Sequence, residues 1–194
     1  MDTFDFRSVV AEGDEAVVKY FQEHNLIQKG ADCLPCGRQF SMIKNKGSSV
    51  GYMLRCPGCR RKDSLTRGTL FDGSHLALSK LLGLMYYWAS QRSIAQTTDL
   101  LSVSSHTVVQ WYQYFREICS WKLSTVPDFP ARPEHYTLSD EQIWREYFGH
   151  TPQLALMNLE RHIAERYPLH VVRTKTWCRQ HHIFITIGYF AGLH

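Results

Sequence analysis

No apolar run in this 194-residue chain approaches the ~18 residues that a membrane-crossing helix needs. A secretory leader is missing too: Met1-Asp2-Thr3-Phe4-Asp5 carries acid where base is required, and no apolar stretch follows. Six cysteines are too few for a disulfide framework, and there is no internal repeat or low-complexity tract. With 13% aromatic and 21% charged residues the composition is wrong for a wholly disordered tail. These absences predict a protein that is not secreted, with no membrane partner, in the nucleus of a eukaryote or the cytoplasm otherwise. Thiols stay reduced in those compartments, so clustered cysteines are read first as metal ligands.

The net charge of +4 is small, but its distribution is uneven. Residues 1–27 hold two Lys/Arg and six Asp/Glu, whereas residues 28–67 hold nine Lys/Arg and two Asp/Glu. The rest of the chain is nearly balanced. A basic block of this kind fits a polyanion, with nucleic acid the commonest, or a solvated charged surface.

The same block holds Cys33-Leu34-Pro35-Cys36 and Cys56-Pro57-Gly58-Cys59, with nineteen residues between the pairs. Each C-x-x-C turn places two thiols on one side of a tight knuckle, and two knuckles supply the four soft ligands of tetrahedral Zn²⁺. The expected cofactor is therefore one structural zinc held by Cys33, Cys36, Cys56 and Cys59. A redox dithiol or two disulfides are the competing readings. A thioredoxin-like motif, however, has one C-x-x-C opening a helix, not two in a basic ribbon. Cys119 and Cys178 lie elsewhere and read as ordinary thiols. Arg55, Arg60, Arg61, Lys62 and Arg67 surround the second knuckle and are candidate phosphate contacts.

Helical patterns cover most of the remainder. They predict helices at Asp14–Asn25, Leu76–Ser90, Ser93–Leu101, a start at Ser104 or Ser105 running to about Leu123, Ser139–Phe148, and Pro152–Tyr167 capped by Thr151. Short strands are expected in Cys33–Phe71, one of them around Ser49–Arg55, and another at Ile183–Ile187. Ser93–Leu101, the turn Ser102-Val103-Ser104 and the following helix fit a helix-turn-helix. Ala95 would allow close packing, Leu100 and Val103 would fill the core, and Val108, Trp111 and Phe115 would face inward. Ser104, Ser105, His106, Thr107 and Gln110 would then reach the major groove. A plain three-helix packing unit is the alternative.

The expected organisation is an N-terminal helix at 1–29, a zinc ribbon at 30–73 and a helix-turn-helix domain at 74–125. A Pro-rich linker at 126–137, C-terminal helices at 138–168 and an unassigned tail at 169–194 follow. The fold class is mainly α with a small β zinc ribbon, then a helix-turn-helix bundle and a short helical C-terminal segment.

The segment Glu15–Ile27, the C-x-x-C-G that follows, the run RCPGCRRKDSLTRGTLF from Arg55 to Phe71, Trp88 and the helix-turn-helix resemble the N-terminal half of Merlin-type transposases and their insertion-sequence relatives. The resemblance covers roughly residues 10–125. Leu138–Phe148 and the helix behind it resemble the family's C-terminus. The resemblance implies a zinc ribbon and helix-turn-helix that bind transposon ends as duplex DNA, with a full-length relative as a further partner. It also implies an RNase H-like catalytic core between the two matches, where this chain has only the stretch from Pro127 to Tyr136. Two-metal cleavage needs three converging carboxylates. Asp140-Glu141 opens a helix rather than ending a strand, and Glu146, Glu160 and Glu165 read as surface charges on helices. No catalytic residue is therefore expected. An active nuclease with an unrecognised core, and a zinc-ribbon module for protein or RNA, are the alternatives.

Overall fold

A computed structural model of the chain describes residues 5–30, 32–126 and 138–169. The linker from 127 to 137, Cys178 and the strand expected at Ile183–Ile187 lie outside the described residues. The architecture is mainly helical with one three-stranded antiparallel sheet.

Two short helices come first. α1, Phe6–Ala11, was not anticipated, because six residues are too few to show a 3.6-residue period. Asp5 caps it by accepting from the Arg7 N–H at 3.0 Å. α2, Asp14–Glu23, begins with Asp14 and Glu15, whose charges suit the positive helix start. Its buried stripe is Val17, Val18 and Phe21, so Val18 belongs to the core and Ala16 lies at its margin.

The sheet has the order β1-β2-β3: β1 is Ser41–Lys44, β2 is Tyr52–Arg55 and β3 is Lys62–Asp63. Ser41 stands opposite Arg55 and Lys44 opposite Tyr52; Leu54 stands opposite Asp63. Only β2 sends large apolar side chains inward, through Tyr52 and Leu54.

α3, Leu78–Ala89, is the centre of the molecule. Its nearly unbroken apolar sequence predicts burial on most sides. α1, α2, α4 (Ile94–Leu101), α5 (Ser105–Thr125) and α7 (Pro152–Arg166) all pack against it. One buried cluster runs from Phe6 through β2, α3 and α5 to Ile163 in α7.

α4 begins with a full capping box, Ser93 with Gln96, and ends at Ser102, which adopts the left-handed conformation with φ 49°. Ser104 then caps α5 by accepting from the Thr107 N–H at 3.1 Å. Val108, Trp111 and Phe115 face inward as expected. Two expectations are corrected here. Leu100 is 52% exposed and Ala95 is also on the surface. The helix turns the other way: Thr97 is buried, its hydroxyl 2.8 Å from the Tyr112 hydroxyl, and Leu101 packs on the core. Close approach is provided instead by Gly83 of α3, where an added Cβ would lie 2.5 Å from the Leu101 Cδ2.

The C-terminal helices fold back onto this core. α6 is Asp140–Phe148, capped by Ser139 and Gln142, and packs on α5; α7 starts with Thr151 as cap and Pro152 inside it. Two buried charges fasten these helices. The Arg145 guanidinium lies 4.2 Å over the Trp88 ring and donates to the Trp88 and Ala89 carbonyls at 2.8 and 3.3 Å. It also pairs with Glu141 at 2.9 Å, which pairs in turn with Arg116. Thus a side chain from α6 completes the end of α3, whose Tyr86, Tyr87 and Trp88 carbonyls also accept from the N–H groups of Ser90, Arg92 and Gln91.

Glu160, expected on the surface, is only 2% exposed. Its carboxyl accepts from the Tyr20 hydroxyl at 2.6 Å and faces the His24 Nε2 at 3.7 Å, joining α7 to α2. Burial pushes this carboxyl up to about 7, against the opposing pull of Tyr20 and His24.

Arg145→Ala is expected to lower unfolding stability by about 2–4 kcal/mol, because the Ala89 and Trp88 carbonyls and Glu141 each lose a buried charged donor and the Trp88 ring loses its cation. Arg145→Lys should recover little, since an ammonium cannot span the same carbonyls or lie flat on Trp88. Urea denaturation of the three proteins checks this; a loss under 1 kcal/mol for Ala would show that the clamp is dispensable.

A carboxyl with a raised folded-state pKa binds its proton more tightly in the fold. Its stabilising contribution is full below about 4.5 and is lost as the pH rises through about 7. Glu160→Gln should therefore gain on the wild type in urea midpoint between pH 5 and pH 8. Parallel curves across that range would exclude this linkage.

Candidate metal centre

Two knuckles of the same design carry the cysteines. In the first, the Cys33 N–H donates to the Arg38 carbonyl at 2.8 Å, and the Cys36 and Gly37 N–H groups donate to the Cys33 carbonyl at 3.1 and 2.7 Å. In the second, the Cys56 N–H donates to the Arg61 carbonyl at 2.8 Å and the Arg60 N–H to the Cys56 carbonyl at 3.1 Å. The residue after each second cysteine is left-handed: Gly37 at φ 67° and Arg60 at φ 60°. Glycine takes that conformation freely, whereas arginine is strained there. β2 feeds the second knuckle and β3 leaves it, while the Asp32–Gln39 bridge closes the base of the first.

The four Sγ atoms lie within 4.8 Å of one another. Two close approaches run between knuckles: Cys33 to Cys59 and Cys36 to Cys56, both 3.3 Å. Four ligands at about 2.3 Å from a tetrahedral ion stand roughly 3.8 Å apart, so the quartet fits one ion. A disulfide would need sulfurs at about 2.05 Å, and all four thiols are free. Gly58 permits the approach, because a Cβ there would lie 2.8 Å from the Arg38 Cδ and 3.3 Å from the Cys36 Sγ. Cys33 and Cys56 are buried while Cys36 and Cys59 are exposed, so the ion would sit near the rim of the sheet.

The thiols do not share one environment. Burial pushes Cys33 up to about 12, aided by hydrogen bonds with the other thiols. For Cys56 burial works in the same direction, but the backbone N–H groups of Cys59 and Gly58, with neighbouring thiols, hold it down to about 6. One thiolate is thus favoured before metal arrives, and a divalent ion would displace the remaining protons. Among the described residues, no other group of three or more His, Cys, Asp or Glu is close enough to hold a metal.

The remaining expected contact residues fall on two structures. Arg55 ends β2, Arg60 and Arg61 lie in the second knuckle and Lys62 opens β3, and all four are exposed. Arg67 is exposed but ion-paired with Asp63, four residues earlier. On α5, Ser105 and His106 are exposed. The Ser104 and Thr107 hydroxyls are 2.8 Å from each other, and Gln110 donates to the Tyr114 hydroxyl at 2.9 Å. Thr107 and Gln110 line a groove of about 580 Å³ that also includes Asp72, His75, Glu117 and Arg166. Periodicity could not reveal this groove, since its walls come from a loop and two helices far apart in sequence. Val109 and Gln113 are also exposed on α5, in phase with His106 on the helix.

No protein-family model matches the chain, and neither a curated protein nor a solved structure is significantly similar to it. The chemistry must therefore be argued from the residues themselves.

In the metal-bound protein, a thiol reagent should leave the quartet largely unmodified, and a strong chelator should expose four further reactive thiols. Chelation should also loosen the sheet while most helical circular dichroism persists, because α3 and its partners have their own core. Four fully reactive quartet thiols in freshly purified protein would defeat the assignment.

Proposed function

We propose that this chain is a transposase-derived DNA-binding protein in which a zinc ribbon and a helix-turn-helix together bind duplex DNA such as transposon ends. The observation that carries the reading is the cysteine quartet, set in a sheet edge whose exposed side chains include Arg55, Arg60, Arg61 and Lys62. Thiolate ligation suits zinc, which has no redox chemistry and accepts a closed four-sulfur site. A closed site leaves no position for substrate, so the ion's role is to hold the knuckles. The cations on them then meet phosphates at fixed spacing.

The second support is α4, the three-residue turn and α5. Ser102 occupies the left-handed position where glycine is common, and Ser104 starts α5 with Ser105 and His106 exposed. A turn of this length between two helices is compatible with a second helix entering a major groove, and supports the reading in that sense. The resemblance to Merlin-type transposases supports the same reading, and we assign no catalytic residue. Asp140 lies in the first turn of α6, Glu141 is held by Arg116 and Arg145, and Glu160 is buried against Tyr20.

Elemental analysis should find one zinc per chain. Replacing Arg60, Arg61 and Lys62 together by Ala should weaken binding to all duplexes alike. The slope of log affinity against log salt should fall by about 0.9 per lost phosphate contact. Fluorescence anisotropy over a salt series measures both. An unchanged slope would remove the ribbon from the interface, and stronger binding to RNA than to DNA would overturn the reading.

A further inference from the structure

The exposed face of α5 has a composition that solvation alone does not explain. At about 100° per residue, Ser105, His106, Val109, Gln110 and Gln113 fall on one side of the helix, and all five are exposed. Buried Val108, Trp111, Tyr112 and Phe115 take the other side. From Ser105 to Phe115 there is no Asp, Glu, Lys or Arg. A solvated helix face ordinarily carries about 25–35% charged residues. Val109 lies within this uncharged face and is 46% exposed. A β-branched residue there is also a weak helix former, so helix propensity does not account for it.

The five residues divide further. Gln110 is tied to Tyr114 and belongs to the groove wall with Thr107. Ser105 is the first residue of the helix, beside the Ser104 cap, and His106, Val109 and Gln113 are left as the outward stripe. We propose that these three form the base-reading stripe of α5, with Val109 seating a thymine methyl and Gln113 taking an adenine edge. The inference rests on the duplex-binding reading above and adds which bases are read and by which residues.

The chemistry separates two tasks. Phosphates are met by cations on the sheet, which position the protein without reading sequence. Base edges in the major groove present acceptors, donors and, at thymine alone, a methyl group. A charge-free stripe of one imidazole, one branched alkyl group and one carboxamide matches that set. Gln is bidentate to adenine N6 and N7, and an apolar side chain covers the thymine methyl. Val109 and Gln113 are four residues apart, or about 6 Å along the helix axis. The major groove runs inclined to the duplex axis, so this span covers neighbouring base pairs, and the expected site contains two A·T pairs one or two steps apart.

The test uses the zinc-loaded full chain and a pool of duplexes with a randomised centre. Enriched sites should contain two A·T pairs one or two steps apart. Each thymine is then replaced by uracil, which removes only the methyl. At one thymine the wild type should bind about fourfold more weakly after replacement, the effect of losing one buried methyl-sized contact. For Val109→Ala the thymine-to-uracil ratio should be close to one at that position. Gln113→Ala should lose tenfold or more of its preference for adenine at the second position. Because each readout is a ratio between two duplexes on the same protein, partial misfolding would not imitate it. Sequence preference that ignores uracil substitution and both variants would overturn this inference and leave duplex binding standing. Absence of any salt-dependent duplex binding by the wild type would overturn the function proposed above, and this inference with it.

Discussion

The three strands bury too little to hold themselves together. β1 turns no side chain fully inward, β3 is two residues long, and the apolar anchors of the region are Val50, Tyr52, Leu54 and Leu65. A segment of this size without a core needs another source of order, and the cysteine quartet is the one in place. Everything that the sheet presents outward depends on it. Arg60 and Arg61 are part of the second knuckle itself, so their spacing is set by the same turn that aims Cys56 and Cys59. The strained left-handed conformation of Arg60 is tolerable for the same reason: the knuckle is closed by the Cys56–Arg61 hydrogen bond on one side and the facing thiols on the other.

The sheet is not free of the helices. The Gln28 N–H donates to the Leu65 carbonyl at 2.8 Å, and the Ser49 hydroxyl donates to the Ser74 carbonyl at 3.1 Å. Phe71, fully buried, stacks on Trp111 of α5 at 5.8 Å between ring centroids. The chain leaving the sheet is thereby fixed against α5, and the 69–76 segment and that helix share the walls of one groove. A rigid connection of this kind makes the sheet's cations and the exposed start of α5 parts of one body.

How much of this could be read from the sequence divides along physical lines. The quartet was legible because metal ligation depends on residue type and short spacing, both written in the chain. Helix starts were legible for the same reason: Ser93, Ser104, Ser139 and Thr151 act on N–H groups within three residues. Contacts between distant elements were not. Glu160 looks like a surface acid until Tyr20, 140 residues away, is placed on it. Arg145 looks like a solvated base until the end of α3 arrives beneath it. Leu100 was misplaced because two adjacent leucines end α4 and periodicity over eight residues does not choose between them; the packing against Gly83 chooses Leu101.

Those two buried charges also bear on what the C-terminal helices are for. α6 and α7 contact α3 and α5, and three of their acids are spent on contacts within the fold: Glu141 on Arg116 and Arg145, Glu160 on Tyr20 of α2, Glu165 on Lys122 of α5. A carboxylate engaged with an arginine or buried beside a tyrosine is poorly available to a metal ion, because binding would first break a desolvated contact. The acids of this region therefore serve as fasteners. Their effect is to brace the later turns of α5, through Arg116 and Lys122, beyond the uncharged stretch that carries His106, Val109 and Gln113. A helix that must enter a groove as a stiff rod gains from such bracing, since each side chain that reads a base has to arrive at a fixed height along it. Under the proposed duplex-binding function, the C-terminal segment would serve by keeping α5 anchored.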